Sequence, residues 1–129
     1  MILVNEIQFT GNEKKYLNEC IDTGWVSSEG PFVKKFEDNF TSFVGVKYGV
    51  AVCNGTAALE TALFALGVNK GDEVIMPSLT IISCAIACIR LGAKPVLIDI
   101  DPETWNMDVS QIKAKITSKT KIIMPVHIY

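Results

Sequence analysis

Apolar positions in the first third of the chain recur at helical spacing. Between Gly11 and Thr23 the pairs Tyr16/Cys20 and Leu17/Ile21 stand four apart, with Thr10 or Asn12 available as a cap, which predicts a short amphipathic helix. A Gly- and Ser-rich link, Gly24 to Gly30, leads to Pro31 at a first-turn position. Phe32, Val33, Phe36, Phe40, Phe43 and Val44 follow, closed by Gly45, predicting a second helix with an aromatic face to bury. The period then changes. Tyr48 to Cys53 is a short β-branched run that reads as a strand, Asn54-Gly55-Thr56 as a tight turn, and Ala58, Leu59, Ala62, Leu63 and Leu66 as a helix ending at Gly67.

The strand-then-helix pattern recurs with Glu73 to Met76 as a strand, Thr80 to Leu91 as a helix stopped by Gly92, and Pro95 to Ile100 as a strand. Two crossovers in succession imply parallel strands in an α/β fold. After a loop around Trp105, Val109 to Ile116 reads as helical, and Lys121 to Ile128 is a continuous apolar run suited to a strand buried on both faces. A chain that closes on what reads as a central strand, without a further covering helix, is expected to be a truncated chain or a fragment. No linker, repeat or low-complexity tract interrupts the pattern.

At 129 residues one hydrophobic core is the starting expectation. A composition 49% hydrophobic and 20% charged, with net charge −2, is that of an ordinary soluble protein and offers no basic footprint for nucleic acid. The apolar opening breaks at Asn5 and Glu6, too short for a signal peptide or membrane anchor, so the expected location is cytoplasmic. Cys20, Cys53, Cys84 and Cys88 lie within apolar segments, which suits a reducing compartment. Cys84 and Cys88 would share a helix face and could supply half a metal site. No second cysteine or histidine pair follows, so they read as small buried hydrophobes and no metal is expected.

The stretch with the most chemical content is Asn54 to Leu59, NGTAAL, where a strand turns into a helix. Small residues there let the backbone approach an anion, while the unpaired amides and the dipole at a helix start stabilise negative charge. The same residues serve equally well as an ordinary strand-to-helix turn with Asn, Gly and Thr as caps. The three-glycine spacing of a dinucleotide site is absent, as is the Gly-Lys-Ser/Thr of a Walker loop, so a single small phosphate-bearing cofactor fits better.

Five segments occur in register with a known family: GNEKKYLNECIDTGWVSSEGPFVKKFE, NGTAAL, KGDEVIMPSLT, GAKPVLIDIDPETWNMD and ITSKTKIIMPVHIY. Through them the chain resembles the sugar aminotransferases of the DegT/DnrJ/EryC1/StrS type over nearly its whole length. Within that family it is most similar to the perosamine synthases, which act on GDP-4-keto-6-deoxymannose. The resemblance implies an aspartate-aminotransferase-like fold with a mainly parallel sheet, residues 1–129 being the N-terminal part of its large domain. It also implies pyridoxal 5'-phosphate as cofactor, glutamate and a nucleotide-linked keto sugar as substrates, a homodimer, and a role in polysaccharide or O-antigen biosynthesis.

Carried over by residue, the resemblance puts Gly55 and Thr56 on the cofactor phosphate. Ile81 stands where relatives usually carry an aromatic stacked on the pyridine ring; an isoleucine covers a ring by apolar contact but does not stack. His127, the one histidine, sits near the end of the last strand, where parallel sheets bind ligands and where relatives carry a histidine near the cofactor; a satisfied core histidine is the alternative. Trp25, Ser27 and Ser28 match a segment lining the substrate pocket, against the alternative of an exposed link anchored by Trp25. Trp105 reads as a packing residue, and Asp99 and Asp101 as turn carboxylates around Pro102 rather than catalytic acids.

Amino transfer on this cofactor needs a lysine amine held beside the cofactor carbonyl and an acid on the pyridine nitrogen. In the family both lie downstream of the closing strand, and none of the eleven lysines here stands in that lysine's context. The chain is therefore expected to carry no catalytic residue and to be inactive alone. Two other readings stand beside the aminotransferase: a sugar dehydratase of the same fold, in which a histidine replaces the lysine, and a non-catalytic remnant or dimerising module.

Overall fold

The computed structural model describes residues 5–128. Residues 1–4 of the apolar opening, and Tyr129 at the close of the last family-like segment, lie outside the described residues. The described chain divides between Ala51 and Val52 into two compact units.

The first unit holds α1 (Glu13–Thr23) and α2 (Pro31–Val44). Gly24 and Gly45 close the two helices in the left-handed conformation, at φ 73° and 78°, which is what a glycine at these positions provides. Pro31 occupies the first turn of α2, as expected. The aromatic face of α2 is not buried within this unit: Phe36, Phe40 and Phe43 are 57%, 54% and 89% exposed. Tyr16 and Phe32 pack at 5.2 Å between ring centroids, with the Lys35 ammonium over the Tyr16 ring. That contact covers only the start of the helix.

Tyr48 to Cys53, expected as a strand, forms none among the described residues. A strand needs a neighbouring ladder for its backbone groups. Here the Ala51 N–H donates instead to the Glu37 carboxylate at 2.8 Å. The expected first crossover is thus represented by its helix and second strand.

The second unit runs through α3 (Gly55–Ala65), β1 (Glu73–Pro77), α4 (Ser83–Arg90), β2 (Lys94–Ile98), a 3-10 turn at Val109–Gln111 leading into the short α5 (Ile112–Lys115), and β3 (Thr120–Ile123). Its sheet is parallel, in the order β2-β1-β3. The expectation of parallel strands holds, and among the described strands the middle one is β1, all five of whose residues are buried. The apolar run Lys121 to Ile128 is a strand only to Ile123, and its residues alternate between half-buried and exposed. An edge position explains this, since β3 pairs with β1 alone among the described strands.

All the buried hydrophobic residues among those described lie in the second unit, where Leu63 and Val68 from α3 and its exit meet Val74 and Met76 of β1 and Cys84, Ala87 and Cys88 of α4. Cys84 and Cys88 are the small buried hydrophobes the sequence suggested, and burial raises the Cys88 thiol pKa. Cys53, by contrast, is exposed.

At the N-terminal ends of the strands Glu73 is held by the Thr117 hydroxyl at 2.6 Å and by Lys94 at 3.6 Å. Its N–H reaches the Lys119 carbonyl at 2.8 Å, so this corner ties all three strands together. The opposite, C-terminal edge remains open for a site.

Candidate functional site

Asn54 caps α3 from an extended backbone, its side-chain oxygen accepting from the Ala57 N–H at 2.9 Å. The Asn54 carbonyl accepts from the Ala58 N–H at 3.0 Å. These two bonds satisfy the third and fourth amides of the turn. Among the described residues, the N–H groups of Gly55 and Thr56 have no acceptor. They are the orphan donors of a helix start, where the helix dipole also favours an anion.

Gly55 is exposed, and a Cβ placed on it would meet nothing within 4 Å, so the space in front of these amides is free. Gly55, Thr56, Ala58, Leu59 and Ala62 of α3, together with Ile81 and Ser83, line one concavity of about 670 Å³. Ile81 is 60% exposed, presenting its side chain at this surface. Ser83 opens α4, in the stretch that follows β1, and its hydroxyl lies 2.8 Å from that of Thr56. The two helix starts thus lie side by side at the C-terminal edge of the parallel sheet, the edge at which such sheets bind ligands.

The sequence reading missed Ser83 because it began the helix at Thr80. The structure instead keeps Ser78 to Thr80 as a bend and starts the helix three residues later. The run Thr80 to Ser83, two hydroxyl residues ahead of an apolar helix, was the available signal.

A phosphate group fits this cradle. It would be met by two free amides at a helix start with a hydroxyl beside them, and among the described residues no carboxylate lines the concavity to repel it. The wall formed by Leu59, Ala62 and Ile81 is apolar, as a flat ring requires. Among the described residues, no lysine or arginine lines it.

The other expected site residues are not among those lining this concavity. His127 is exposed, in the irregular stretch after β3, and is not among the residues lining the concavity. Trp25, Ser27 and Ser28 belong to the first unit, in the link between α1 and α2; the serines are exposed and Trp25 is 48% exposed. That unit also holds an aromatic groove of about 410 Å³ between Tyr16, Phe32, Phe36, Phe40 and Phe43.

Asp101 caps its own turn, accepting from the N–H groups of Glu103 and Thr104 and from the Thr104 hydroxyl, and these bonds lower its pKa. Asp99 accepts from the Ile100 N–H at 2.8 Å. Both carboxylates are turn residues, as the sequence suggested. Trp105 departs from its expected packing role. Its N–H donates to the Asp101 carbonyl, the turn holds it at φ 60°, and the side chain is left 56% exposed.

Comparison with known proteins places this geometry. The model of the DegT/DnrJ/EryC1/StrS aminotransferase family matches residues 8–129. A GDP-perosamine synthase of Escherichia coli O157:H7 is 51% identical over 99% of this chain and 35% of its own length. The chain thus spans about a third of the length of the curated relatives it matches. Among solved structures, the NtdA protein of Bacillus subtilis with bound cofactor PMP superposes with a TM-score of 0.84 at 37% identity, over 90% of this chain and 26% of that one. A GDP-4-keto-6-deoxy-D-mannose-3-dehydratase of E. coli with bound hydrated PLP gives 0.82 at 28% identity, over 93% and 32%. With nearly the whole chain matched and an α/β parallel sheet as expected, the chain belongs to the DegT/DnrJ/EryC1/StrS aminotransferase family.

Proposed function

We propose that this chain forms the phosphate-cradling part of a pyridoxal-phosphate-dependent enzyme that transfers an amino group from glutamate to C4 of GDP-4-keto-6-deoxymannose, in the making of a cell-surface polysaccharide. The observation that carries the reading is the open helix start at Gly55 and Thr56, facing an apolar wall that includes Ile81, in a chain 51% identical to a GDP-perosamine synthase. When bound, pyridoxal phosphate supplies the carbonyl that takes up the amino group and the ring that accepts the electron pair.

The chain's own residues bind and orient. Gly55 and Thr56 hold the phosphate through their N–H groups, and the side chain of Ile81 covers the ring by apolar contact without stacking. His127 is proposed to stand near the cofactor, and Trp25, Ser27 and Ser28 to meet the sugar. In this reading residues 1–129 are the N-terminal part of the aminotransferase domain, the lysine that would hold the cofactor covalently is not among them, and the working form is a cytoplasmic homodimer. None of the described helices is long and apolar enough to cross a membrane.

The test uses the full chain, meaning residues 1–129 joined to the downstream part that carries the lysine, supplied with pyridoxal phosphate, glutamate and GDP-4-keto-6-deoxymannose. The cofactor spectrum is followed, and the sugar product is identified by mass. Conversion of the cofactor to its amine form by glutamate, reversed by the keto sugar with formation of the 4-amino sugar, supports the proposal; an unchanged spectrum with both substrates overturns it. The likeness to the dehydratase supports a second reading, in which the sugar loses its C3 hydroxyl and gains no nitrogen. The mass of the product separates the two.

A further inference from the structure

The Thr56 and Ser83 hydroxyls come from different helices and lie 27 positions apart in sequence, yet Thr56 Oγ1 donates to Ser83 Oγ at 2.8 Å. Both side chains are half-buried and both line the concavity in front of the Gly55 amide. A hydroxyl has one proton and two lone pairs. With the Thr56 proton committed to Ser83, the Thr56 side chain has none to offer a ligand. The Ser83 proton is the one that remains, and a phosphate oxygen accepts but does not donate.

We propose that Ser83 supplies the side-chain hydrogen bond to the cofactor phosphate and that Thr56, besides its backbone N–H, is a positioning residue whose hydroxyl orients that of Ser83. This rests on the proposed cofactor site and deepens it by naming the second helix start as part of the cradle. The alternative role for the pair is structural: a bond that pins α3 to α4, two helices already packed through Leu63, Cys84, Ala87 and Cys88. A pin would act on stability and on every ligand alike. A phosphate donor would act only on ligands that carry a phosphate.

The discriminating probes are pyridoxamine 5'-phosphate and pyridoxamine, neither of which needs a lysine to bind. Their affinities are measured by fluorescence or absorbance titration on the full chain and on Ser83→Ala, Ser83→Thr, Thr56→Val and the Thr56→Val/Ser83→Ala pair. Loss of one hydrogen bond to a charged group predicts that Ser83→Ala weakens pyridoxamine 5'-phosphate about tenfold or more. Pyridoxamine affinity should stay within about twofold, and Ser83→Thr should restore most of the loss. The double variant should bind about as well as Ser83→Ala alone, because two groups acting through one contact are not additive.

Equal weakening of both ligands by Ser83→Ala would show a structural pin and overturn the proposal. So would an unchanged affinity for pyridoxamine 5'-phosphate, or a Thr56→Val loss that adds in full to that of Ser83→Ala. Gly55→Val tells the two levels apart. If it weakens pyridoxamine 5'-phosphate while Ser83→Ala does not, only the role of Ser83 fails; if neither matters, the cradle itself fails.

Discussion

Gly55→Val separates the binding role of the α3 start from its folding role, because the position is free in one sense and not in the other. A Cβ there meets no atom within 4 Å, so an added side chain starts in open space. Valine is also a better helix former than glycine by a few tenths of a kcal/mol, and the thermal midpoint should hold or rise slightly. The space the side chain enters is the approach to the free amides of Gly55 and Thr56. Holding a phosphate oxygen off one of these removes a hydrogen bond to a charged group, about 1.5–3 kcal/mol, or roughly tenfold to a hundredfold in affinity. Loss of both amides would exceed that. The assay is absorbance titration of the full chain with pyridoxal phosphate beside a thermal melt of the cofactor-free protein. Equal cofactor affinity in the two proteins would show that the turn is structural. A collapsed melting temperature would show that Gly55 is required by the fold, contrary to the open space around it.

Three further outcomes are expected. Ile81→Tyr should leave cofactor affinity unchanged or tighten it, by about 0.5–1.5 kcal/mol if the added ring stacks, and weaker binding in the same titration would refute the placement of Ile81 over the ring. Met76→Ala, at a fully buried position of the central strand, should cost about 2–5 kcal/mol of stability in a denaturant titration, and a loss below 1 kcal/mol would mean that β1 is not the core. Thr117→Val should remove the main influence lowering the Glu73 pKa, the hydroxyl bond at 2.6 Å; since the folded-state pKa lies below its ordinary value, the stabilisation is full above about pH 4.3 and lost as pH falls through the lower folded value. The stability gap between wild type and this variant should therefore shrink between pH 6 and pH 3 in chemical denaturation, and a gap constant across that range would contradict the assignment.

How far the sequence could be read depended on whether a feature is local. The α3 start was legible because its parts fall within five residues: an Asn cap, a glycine with open space, and a threonine followed by an apolar helix. The closing glycines of α1 and α2 and the turn carboxylate Asp101 were legible for the same reason. Strand order was not. Glu73 to Pro77 and Lys121 to Ile128 are both apolar runs, and nothing in either says which is central; pairing with β2 and β3 on its two sides makes it β1. Tyr48 to Cys53 has strand composition, but composition does not supply a ladder partner, and the Ala51 N–H found Glu37 instead.

The site divides along the same line. Its amides belong to a local turn and could be read directly, whereas the hydroxyl pair exists only because packing of α4 on α3 brings Ser83 against Thr56 across 27 positions of sequence. Leu63 of α3 and Cys84 and Ala87 of α4 belong to one core cluster, and packing of this kind sets the spacing of the two helix starts. If the proposed cradle holds a phosphate, a core residue on this interface is coupled to its binding without touching the ligand. Such coupling follows from one interior serving both purposes, close-packed enough that a lost methylene is felt at its rim.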